Sequence, residues 1–318
     1  MKRIVMLTAL LAAGAVSYVV AQQDGQKPMV VEVQKLKDYL FILTGGGGNT
    51  TVFVQSDGIT VVDTKNPGWG APILARIREL SPKPITTIIN THSHGDHVSG
   101  NVEFPATVDI VVHENTAANM KEMMSPPGMG KPGANKPTIF DQNQGKGLPK
   151  RTFDDRLTLF KGPDQVQLHY FGRGHTNGDA WVLFPSARVV ATGDIVPGKR
   201  VPIVDSNNGG SGVEYGESVR KAHGRLARLA DTFVTGHAMT MTGAELMEYA
   251  TFMREFAEAA RAAKKAGTAV DAFAKSYTIP AKFQGYTPAQ EGSVLAAAQV
   301  VYDELDVIRP TSTRPTGR

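Results

Sequence analysis

A short segment rich in histidine and aspartate constrains this chain more than any other feature. It reads Thr91-His92-Ser93-His94-Gly95-Asp96-His97 and directly follows an apolar run. An extended backbone points alternate residues to the same side, so His92 and His94 can reach one metal ion together. Gly95 permits a sharp turn, which re-aims Asp96 and His97 toward a second ion as a helix begins. One segment can therefore serve two metal ions.

Three later segments repeat one local pattern, in which an apolar run ends in glycine and then in a side chain that can bind metal. They are 166–171 before Gly174-His175, 189–192 before Gly193-Asp194, and 232–235 before Gly236-His237. Glycine lets the backbone approach a crowded site. Ligands at the ends of several strands, on loops braced by a rigid sheet, are what a preorganised metal site requires. The predicted ligands are therefore His92, His94, Asp96, His97, His175, Asp194 and His237.

The remaining candidates for metal binding are few. The chain has no cysteine, so any metal must be held by nitrogen and oxygen atoms. Such ligands suit Zn²⁺, and Mn²⁺ or iron would also accept them. His113 ends a predicted strand, His169 lies inside one, and His223 falls on a predicted helix. Since a single histidine is usually structural or simply exposed, we place these three outside the site.

Hydrophobic periodicity indicates helices and strands mixed along the whole chain, which is an α+β pattern. Strands are predicted at 30–33, 40–43, 51–54, 59–62, 85–89, 108–112, 157–160, 166–171, 180–184 and 189–191. Helices are predicted at 71–80, at 114–124, from Ala244 onward and at 292–308. In the first helix of the last third, apolar residues at 246, 249, 253, 256 and 260 share one face, which indicates core packing.

Two segments are predicted to be irregular. Residues 125–151 are rich in Pro, Gly, Lys and Asn, and include five prolines. A loop of this length inside a domain is either a disordered insertion or a functional lid, and both interpretations stay open. The four glycines at 45–48 do not form a phosphate cradle, because no Lys-Ser/Thr pair and no helix follow them. We interpret them as a flexible hairpin.

The N-terminus carries an export pattern. Lys2 and Arg3 precede an apolar run that ends in Val19-Val20-Ala21, a small-residue cleavage pattern. Residues 1–21 are therefore predicted to be a signal peptide and the protein to be periplasmic or secreted, with an uncleaved N-terminal anchor as the alternative. No stable membrane span is expected after cleavage. Loss of Lys2 and Arg3 lowers the formal charge from +4 to +2, and without a basic stripe no nucleic-acid partner is predicted.

Residues 22–308 are predicted to form one domain, of which about the last 65 residues are helical. Residues 309–318 are polar, contain two prolines, and are predicted to be a disordered tail.

The ordered motifs resemble those of the metallo-β-lactamase superfamily. They are His-X-His-X-Asp-His at 92–97, Gly-His-Thr at 174–176, Thr-Gly-Asp at 192–194 and Thr-Gly-His at 235–237. Val61-Val62-Asp63-Thr64 is similar to the family's first motif, whose aspartate supports the site without binding metal. The resemblance covers about Val30 to Met239. It implies a four-layer αββα sandwich, with the site at one edge of its two sheets, followed here by a C-terminal helical extension.

The resemblance also implies how the ligands are shared. His92, His94 and His175 would hold the first ion, Asp96, His97 and His237 the second, and Asp194 would bridge them. The chain lacks the cysteine ligand of some lactamases, whereas the cysteine-free lactamases generally lack the bridging carboxylate. Its ligand set is closer to the glyoxalase II and lactonase branches.

These features predict an exported two-zinc hydrolase that cleaves an ester, lactone, thioester or lactam bond of a small molecule. A water shared by the two ions would be the nucleophile, and Asp96 would orient it and accept its proton. Because an exported protein meets few cytosolic glutathione thioesters, lactones, esters and β-lactams rank first. The candidate walls are residues 45–48, the loop around Trp69, and residues 125–151 and 197–212. Lys199 or Arg200 could bind a substrate carboxylate or be a solvated surface charge.

Three alternatives remain. The first is a periplasmic lactamase that hydrolyses β-lactam antibiotics, and the second is an iron-dependent redox enzyme of the same fold, such as a sulfur dioxygenase. The third is a periplasmic metal-binding protein without turnover.

Overall fold

Two stacked β-sheets form the centre of the protein. The computed structural model describes residues 29–127, 129, 133, 136–288, 290 and 292–308. The first sheet contains Glu32–Lys37 (β1), Leu40–Thr44 (β2), Thr50–Val54 (β3), Ile59–Val62 (β4), Ile85–Ile89 (β5), Asp109–His113 (β6) and Arg151–Phe153 (β7), paired in that order. The second contains Arg156–Leu159 (β8), Val166–His169 (β9), Trp181–Phe184 (β10), Val189–Gly193 (β11) and Thr232–Thr235 (β13), in the order β13-β11-β10-β9-β8. Arg200–Val201 (β12) and Thr287–Pro288 (β14) form a separate parallel pair. The predicted signal peptide and C-terminal tail lie outside the described residues.

Helices cover the outer faces of both sheets. They are Gly70–Leu80 (α1), Gly95–Val98 (α2), Glu114–Met120 (α3), Ile139–Gln142 (α4), Tyr215–Leu226 (α5), Gly243–Lys265 (α6), Val270–Ser276 (α7) and Ser293–Ile308 (α8). Single 3₁₀ turns occur at Ser99–Glu103, Gly162–Asp164 and Ser206–Asn208. No helix in the described part of the chain is both long and apolar enough to cross a membrane.

The alternation of side chains in β2 shows how the layers are built. Leu40 and Ile42 pack between the two sheets, whereas Phe41 and Leu43 pack on the opposite face, among residues of α1 and α3. A third buried cluster lies between the second sheet and helices α5 to α8. The three clusters separate four layers, which confirms the αββα sandwich and its C-terminal helices.

The sheet topology brings strand ends together. Strands β4, β5 and β6 are parallel to one another in the first sheet, and β11 is parallel to β13 in the second. The carboxyl ends of neighbouring parallel strands meet at the same edge of a sheet, where side chains from distant segments can converge. Three predicted ligand segments follow β5, β11 and β13 directly. The edge of the sandwich is therefore where the site forms.

Helix α6 anchors the C-terminal part. Thr242 and Glu245 form a capping box at its start, which satisfies exposed backbone amides. The residues predicted to share its apolar face are all buried: Leu246, Tyr249, Met253, Phe256 and Ala260. They pack in the cluster beneath the second sheet, as the periodicity indicated.

Some predicted boundaries were wrong. The helix predicted over 114–124 ends at Met120, and Met123 adopts a left-handed φ of 48°. The segment 125–151 contains the single-turn helix α4, which Thr138 and Asp141 cap, and ends where β7 begins. The first strand lies at Glu32–Lys37 instead of 30–33, because it is a largely exposed edge strand without an apolar pattern.

Candidate metal centre

The seven predicted ligands lie together at the strand ends. His92 and His94 follow β5, and His94 occupies the N-cap position of α2, whose first turn carries Asp96 and His97. The other three come from the loops after β9, β11 and β13. Their metal-binding atoms form two groups, each within 4.8 Å: His92, His94, His175 and Asp194 in the first group, and Asp96, His97 and His237 in the second group.

Asp194 touches both groups. Its Oδ1 lies 3.3 Å from His97 Nε2, and its Oδ2 lies 3.0 Å from His237 Nε2. The same Oδ2 is 3.9 Å from His175 Nε2 in the first group. This is the placement expected of a carboxylate that bridges two cations.

Three buried polar atoms of the centre have no hydrogen-bond partner among the described residues. They are His92 Nε2, His97 Nε2 and Asp194 Oδ1. Burying an unpaired polar atom is costly, so such atoms call for an explanation. Divalent cations held by these nitrogen and oxygen atoms would satisfy all three, and the donor set, without a thiolate, fits such ions.

The first group favours neutral imidazoles. Burial, reinforced by the neighbouring rings of His97 and His175, holds the pKa of His92 well below its usual value. Burial and the His94 ring lower the pKa of His175 to about 4. A neutral ring has a free lone pair, which is the form that binds a metal ion.

The second group has the opposite electrostatics. Burial alone would lower the pKa of His97, but the carboxylates of Asp194 and Asp96 raise it well above its usual value. The Asp194 carboxylate also raises the pKa of His237 to about 9. Although burial opposes the charge on Asp96, His97 and His237 lower its pKa to about 2. The protein thus pairs carboxylates with protonated rings where a cation would replace those protons.

Hydrogen bonds on the far side of the rings fix their orientation. Asp63 Oδ2 lies 2.8 Å from His97 Nδ1, and Asp205 Oδ2 lies 2.7 Å from His94 Nε2. His175 Nδ1 lies 2.8 Å from the Ile203 carbonyl oxygen. Each ring therefore turns its other nitrogen toward the centre, an arrangement typical of metal-binding histidines.

Sequence reasoning identified Asp63 but missed two other supporting residues. Asp205 lies in an irregular loop far from His94 in sequence, and no spacing signals their pairing. Lys65 is fully buried, and its Nζ donates to the carbonyl oxygens of Leu43 and Gly48. Burial lowers the pKa of Lys65 to about 8, against the opposing effect of nearby carboxylates. A lysine in a loop gives no sequence signal of burial.

The four glycines at 45–48 pack against the centre and Trp69, whereas the sequence suggested a flexible hairpin. A Cβ atom on Gly46 would lie 1.9 Å from the Trp69 ring, and one on Gly48 would lie 2.2 Å from the His97 ring. One on Gly47 would lie 2.8 Å from the Asp96 carbonyl oxygen. The glycines are needed because this backbone lies directly on site residues.

A cavity of about 520 Å³ opens over the two groups. Five of the seven predicted ligands line it and form its metal-binding side: His94, Asp96, His175, Asp194 and His237. Met123, Met124 and Met129 form an apolar side, with Pro197 and Ile203 nearby. Of the predicted walls, the start of 125–151 and the loop after Asp194 line the cavity, whereas residues 45–48 and Trp69 lie outside its lining.

The structure distinguishes the two basic candidates after Asp194. Lys199 Nζ is 3.0 Å from Glu245 and 3.7 Å from Glu248, so its charge is already paired. Arg200 lines the cavity, and no carboxylate in the described part of the chain lies within 4.0 Å of its guanidinium. Arg200 is the basic side chain that can meet an anionic group in the cavity.

The three remaining histidines lie outside both groups. His113 is buried, and its Nε2 lies 2.7 Å from the Asp154 carbonyl oxygen. His169 ends β9 and stacks on Phe171, and His223 lies on α5. None of them shares a group with the seven ligands.

Comparison with known families agrees with this geometry. The family model of the Metallo-beta-lactamase superfamily matches residues 43–237, a span that contains all seven predicted ligands. This chain belongs to that superfamily. The match ends at His237, so the C-terminal helices lie beyond it.

Individual relatives are more distant. The chain is 27% identical over 184 residues to a Metallo-beta-lactamase type 2 from Elizabethkingia meningoseptica. The aligned residues make up 54% of this chain and 65% of that protein, so the chain spans less than two thirds of the relative's length. A metallo-beta-lactamase from Pontibacter korlensis superposes with a TM-score of 0.56 at 18% identity, over 71% of this chain and 99% of that chain. A stereoselective inverting sec-alkylsulfatase from Pseudomonas sp. superposes with a TM-score of 0.66 at 13% identity, over 86% of this chain and 50% of that chain. These superpositions show a shared fold.

Proposed function

We propose that the protein is an exported, zinc-dependent hydrolase that cleaves an ester, lactone, thioester or lactam bond in a small anionic molecule. The observation that carries this proposal is the convergence of seven predicted ligand side chains, three of whose buried atoms lack a hydrogen-bond partner among the described residues. Membership of a superfamily of metal-dependent hydrolases supports the same reaction type. The export signal predicted at residues 1–21 is the basis for an extracytoplasmic location.

Bound zinc ions would polarise the scissile carbonyl and lower the pKa of an attacking water from 15.7 toward about 7. The chain's own contribution begins with Asp96. It lines the cavity, and its pKa of about 2 keeps it a carboxylate at neutral pH, so an Asp96 oxygen can accept the proton of a water in the cavity. Asp63 and Asp205 hold the rings of His97 and His94 in place, so the site needs little rearrangement during reaction.

The cavity suggests a substrate with two unlike parts. Arg200 presents a guanidinium that forms no ion pair with the described carboxylates and can bind a substrate carboxylate through paired hydrogen bonds. The thioethers of Met123, Met124 and Met129 offer an adaptable apolar surface for the acyl or ring portion. We therefore propose a substrate in which an anionic group lies close to the hydrolysed bond. Lys199 is excluded from this role because Glu245 pairs with it.

A periplasmic β-lactamase is the second candidate. The relative that favours it is named Metallo-beta-lactamase type 2 and is 27% identical over 184 residues. A β-lactam antibiotic also carries a carboxylate beside the amide to be cleaved, which the Arg200 contact would accept. The position of Asp194 between the two groups favours hydrolysis of a lactone or an ester, as the sequence resemblance implied.

One preparation tests these proposals. The chain without residues 1–21 would be purified, its metals per chain measured by elemental analysis, and its turnover compared on lactones, esters and β-lactams. We expect two zinc ions per chain and turnover that Asp96→Ala abolishes. Arg200→Met should raise KM for substrates with a carboxylate and leave KM unchanged for matched neutral esters. Less than one metal ion per chain, or turnover that survives Asp96→Ala, would mean that the site is wrongly assigned, whereas bound metal without turnover would favour the non-catalytic metal-binding protein.

A further inference from the structure

The turn formed by residues 45–49, which we call the glycine turn, contacts Asp96 and His97 of the second group and the loop that carries His237. Its Gly48 amide donates to the Asp96 carbonyl oxygen at 3.1 Å, and the Gly48 backbone lies against the His97 ring. Asn49 reaches the third ligand's loop: its backbone amide donates to the Gly236 carbonyl oxygen at 2.7 Å. Backbone hydrogen bonds thus join the glycine turn to Asp96 and to the loop that carries His237.

The Asn49 side chain strengthens this contact. Its Nδ2 donates to the carbonyl oxygens of Thr235 and Ala238, at 2.9 and 3.0 Å. These residues flank His237 on both sides. One amide side chain therefore fixes the loop that carries His237 to the glycine turn.

Lys65 holds the other end of the glycine turn. Its Nζ bridges the carbonyl oxygens of Leu43, at 2.9 Å, and Gly48, at 2.7 Å, and so ties the end of β2 to the turn. The Lys65 carbonyl oxygen accepts the Gly100 amide at 3.1 Å, which joins the same residue to the helical turn after His97. The lysine adopts a left-handed φ of 70° and is fully buried. Both features are unfavourable for lysine, and such features persist where the surrounding structure enforces them.

We infer that Lys65 and Asn49 are positioning residues that make the glycine turn the scaffold of the second metal-binding group, Asp96, His97 and His237. The first group does not depend on this scaffold, because Asp205 and the Ile203 carbonyl oxygen orient its rings from the loop after Asp194. Loss of the Lys65 ammonium leaves two buried carbonyl oxygens without their donor and frees the turn from His97. The inference rests on the proposed two-metal centre. It states that loss of this scaffold weakens metal binding at the second group and leaves the first group unchanged.

The test compares Lys65→Met with Lys83→Met, its matched control. Lys83 Nζ also donates to a backbone carbonyl oxygen, that of Gln55, but contacts no residue of the centre. Zinc content and stepwise zinc affinity would be measured by competition with a chromophoric chelator. For Lys65→Met we expect the second ion to bind at least about tenfold more weakly, with the first ion unchanged, as is typical when support for a ligand is lost. Lys83→Met should bind both ions as the unsubstituted protein does.

Amide hydrogen exchange on the metal-free protein gives a second readout that does not require zinc. In Lys65→Met, the Gly48 and Asn49 amides should exchange at least about tenfold faster than in Lys83→Met, because local opening sets their protection. Asn49→Ala should accelerate exchange at Asn49 and weaken the same ion, which covers the case in which Lys65→Met does not fold. Unchanged exchange and unchanged affinity for the second ion would overturn the inference. Failure of the unsubstituted protein to bind two zinc ions would instead overturn the proposed function, while the exchange rates would still decide the role of Lys65.

Discussion

The Asp63 carboxylate and the His97 ring form a buried pair in which Oδ2 lies 2.8 Å from Nδ1. Thr91 donates to the same carboxylate through its backbone amide, at 2.8 Å, and its hydroxyl, at 2.7 Å. The carboxylate therefore links the segment after β4 to the ligand segment after β5. With Nδ1 held as a donor, loss of the ring's second proton leaves the lone pair of His97 on Nε2, which faces the centre.

This pairing predicts the effect of Asp63→Asn. The backbone at Asp63 has a φ of 63°, which asparagine tolerates, so the fold should persist. An amide N–H that faces His97 Nδ1 would instead favour the tautomer that is protonated at Nε2. We expect affinity for the second ion to fall about 10- to 100-fold. Chelator competition would measure this change, and equal losses at both ions would contradict it.

Asp205→Asn should have the complementary effect. Asp205 accepts from His94 Nε2 through Oδ2, and from the Asn208 backbone amide through Oδ1. Asn208 Nδ2 also donates to Oδ2, at 2.5 Å, so either orientation of an amide side chain would face a donor. Affinity for the first ion should fall by about 10- to 100-fold. Stepwise titration of both variants side by side should show losses at different ions, and a loss at the same ion would contradict the assignment of the two groups.

The candidate ligand set could be predicted from sequence because four of its members share one short segment after an apolar run, and His175, Asp194 and His237 each follow a glycine. The residues that support these ligands were harder to predict. Asp205, Asn49 and Lys65 act through contacts between segments distant in sequence, and spacing along the chain carries no such information. The short helix at Ile139–Gln142 was missed for a related reason, since one turn is too short to show a periodicity of 3.6 residues.

The glycine turn provides a steric prediction. Gly48→Ala would place a Cβ atom 2.2 Å from His97 Cε1 and 2.4 Å from Nε2, the predicted metal-binding atom. Since the ring is buried and held by Asp63, it cannot move away freely. We expect the free energy of unfolding to fall by about 1–3 kcal/mol and the second ion to be lost. Urea unfolding and elemental analysis would measure the two effects.

Gly224→Ala is the matched glycine substitution. Gly224 is exposed within α5, and beyond its own helical turn no described atom would lie within 4 Å of a Cβ atom there. Alanine reduces the conformational entropy lost when the helix forms, so the free energy of unfolding should rise by about 0.5–1 kcal/mol. Zinc content should not change. Destabilisation by Gly224→Ala would show that the steric argument for Gly48 is incomplete.

The charges of the second group predict a pH dependence for metal binding. The pKa of His237 is raised to about 9 and that of His97 well above its usual value, so both rings are protonated near pH 7 in the metal-free protein. For His237, the resulting stabilisation is complete below its unfolded pKa of about 6.5 and is lost as the pH rises through about 9. Because zinc binds the deprotonated rings, it must displace these protons, and affinity for the second ion should rise with pH over this range.

Isothermal titration calorimetry in buffers of different ionisation enthalpy would count the displaced protons. We expect roughly one to two protons per chain to be released when zinc fills the second group at pH 7, since each metal-binding ring must lose its proton. The number should fall as the pH passes about 9, where His237 loses its proton before zinc binds. In the first group, the pKa of His175 is about 4, so that ring contributes no proton at pH 7. Zinc binding without proton release at pH 7 would mean that the carboxylates of Asp194 and Asp96 do not hold these rings in their charged form.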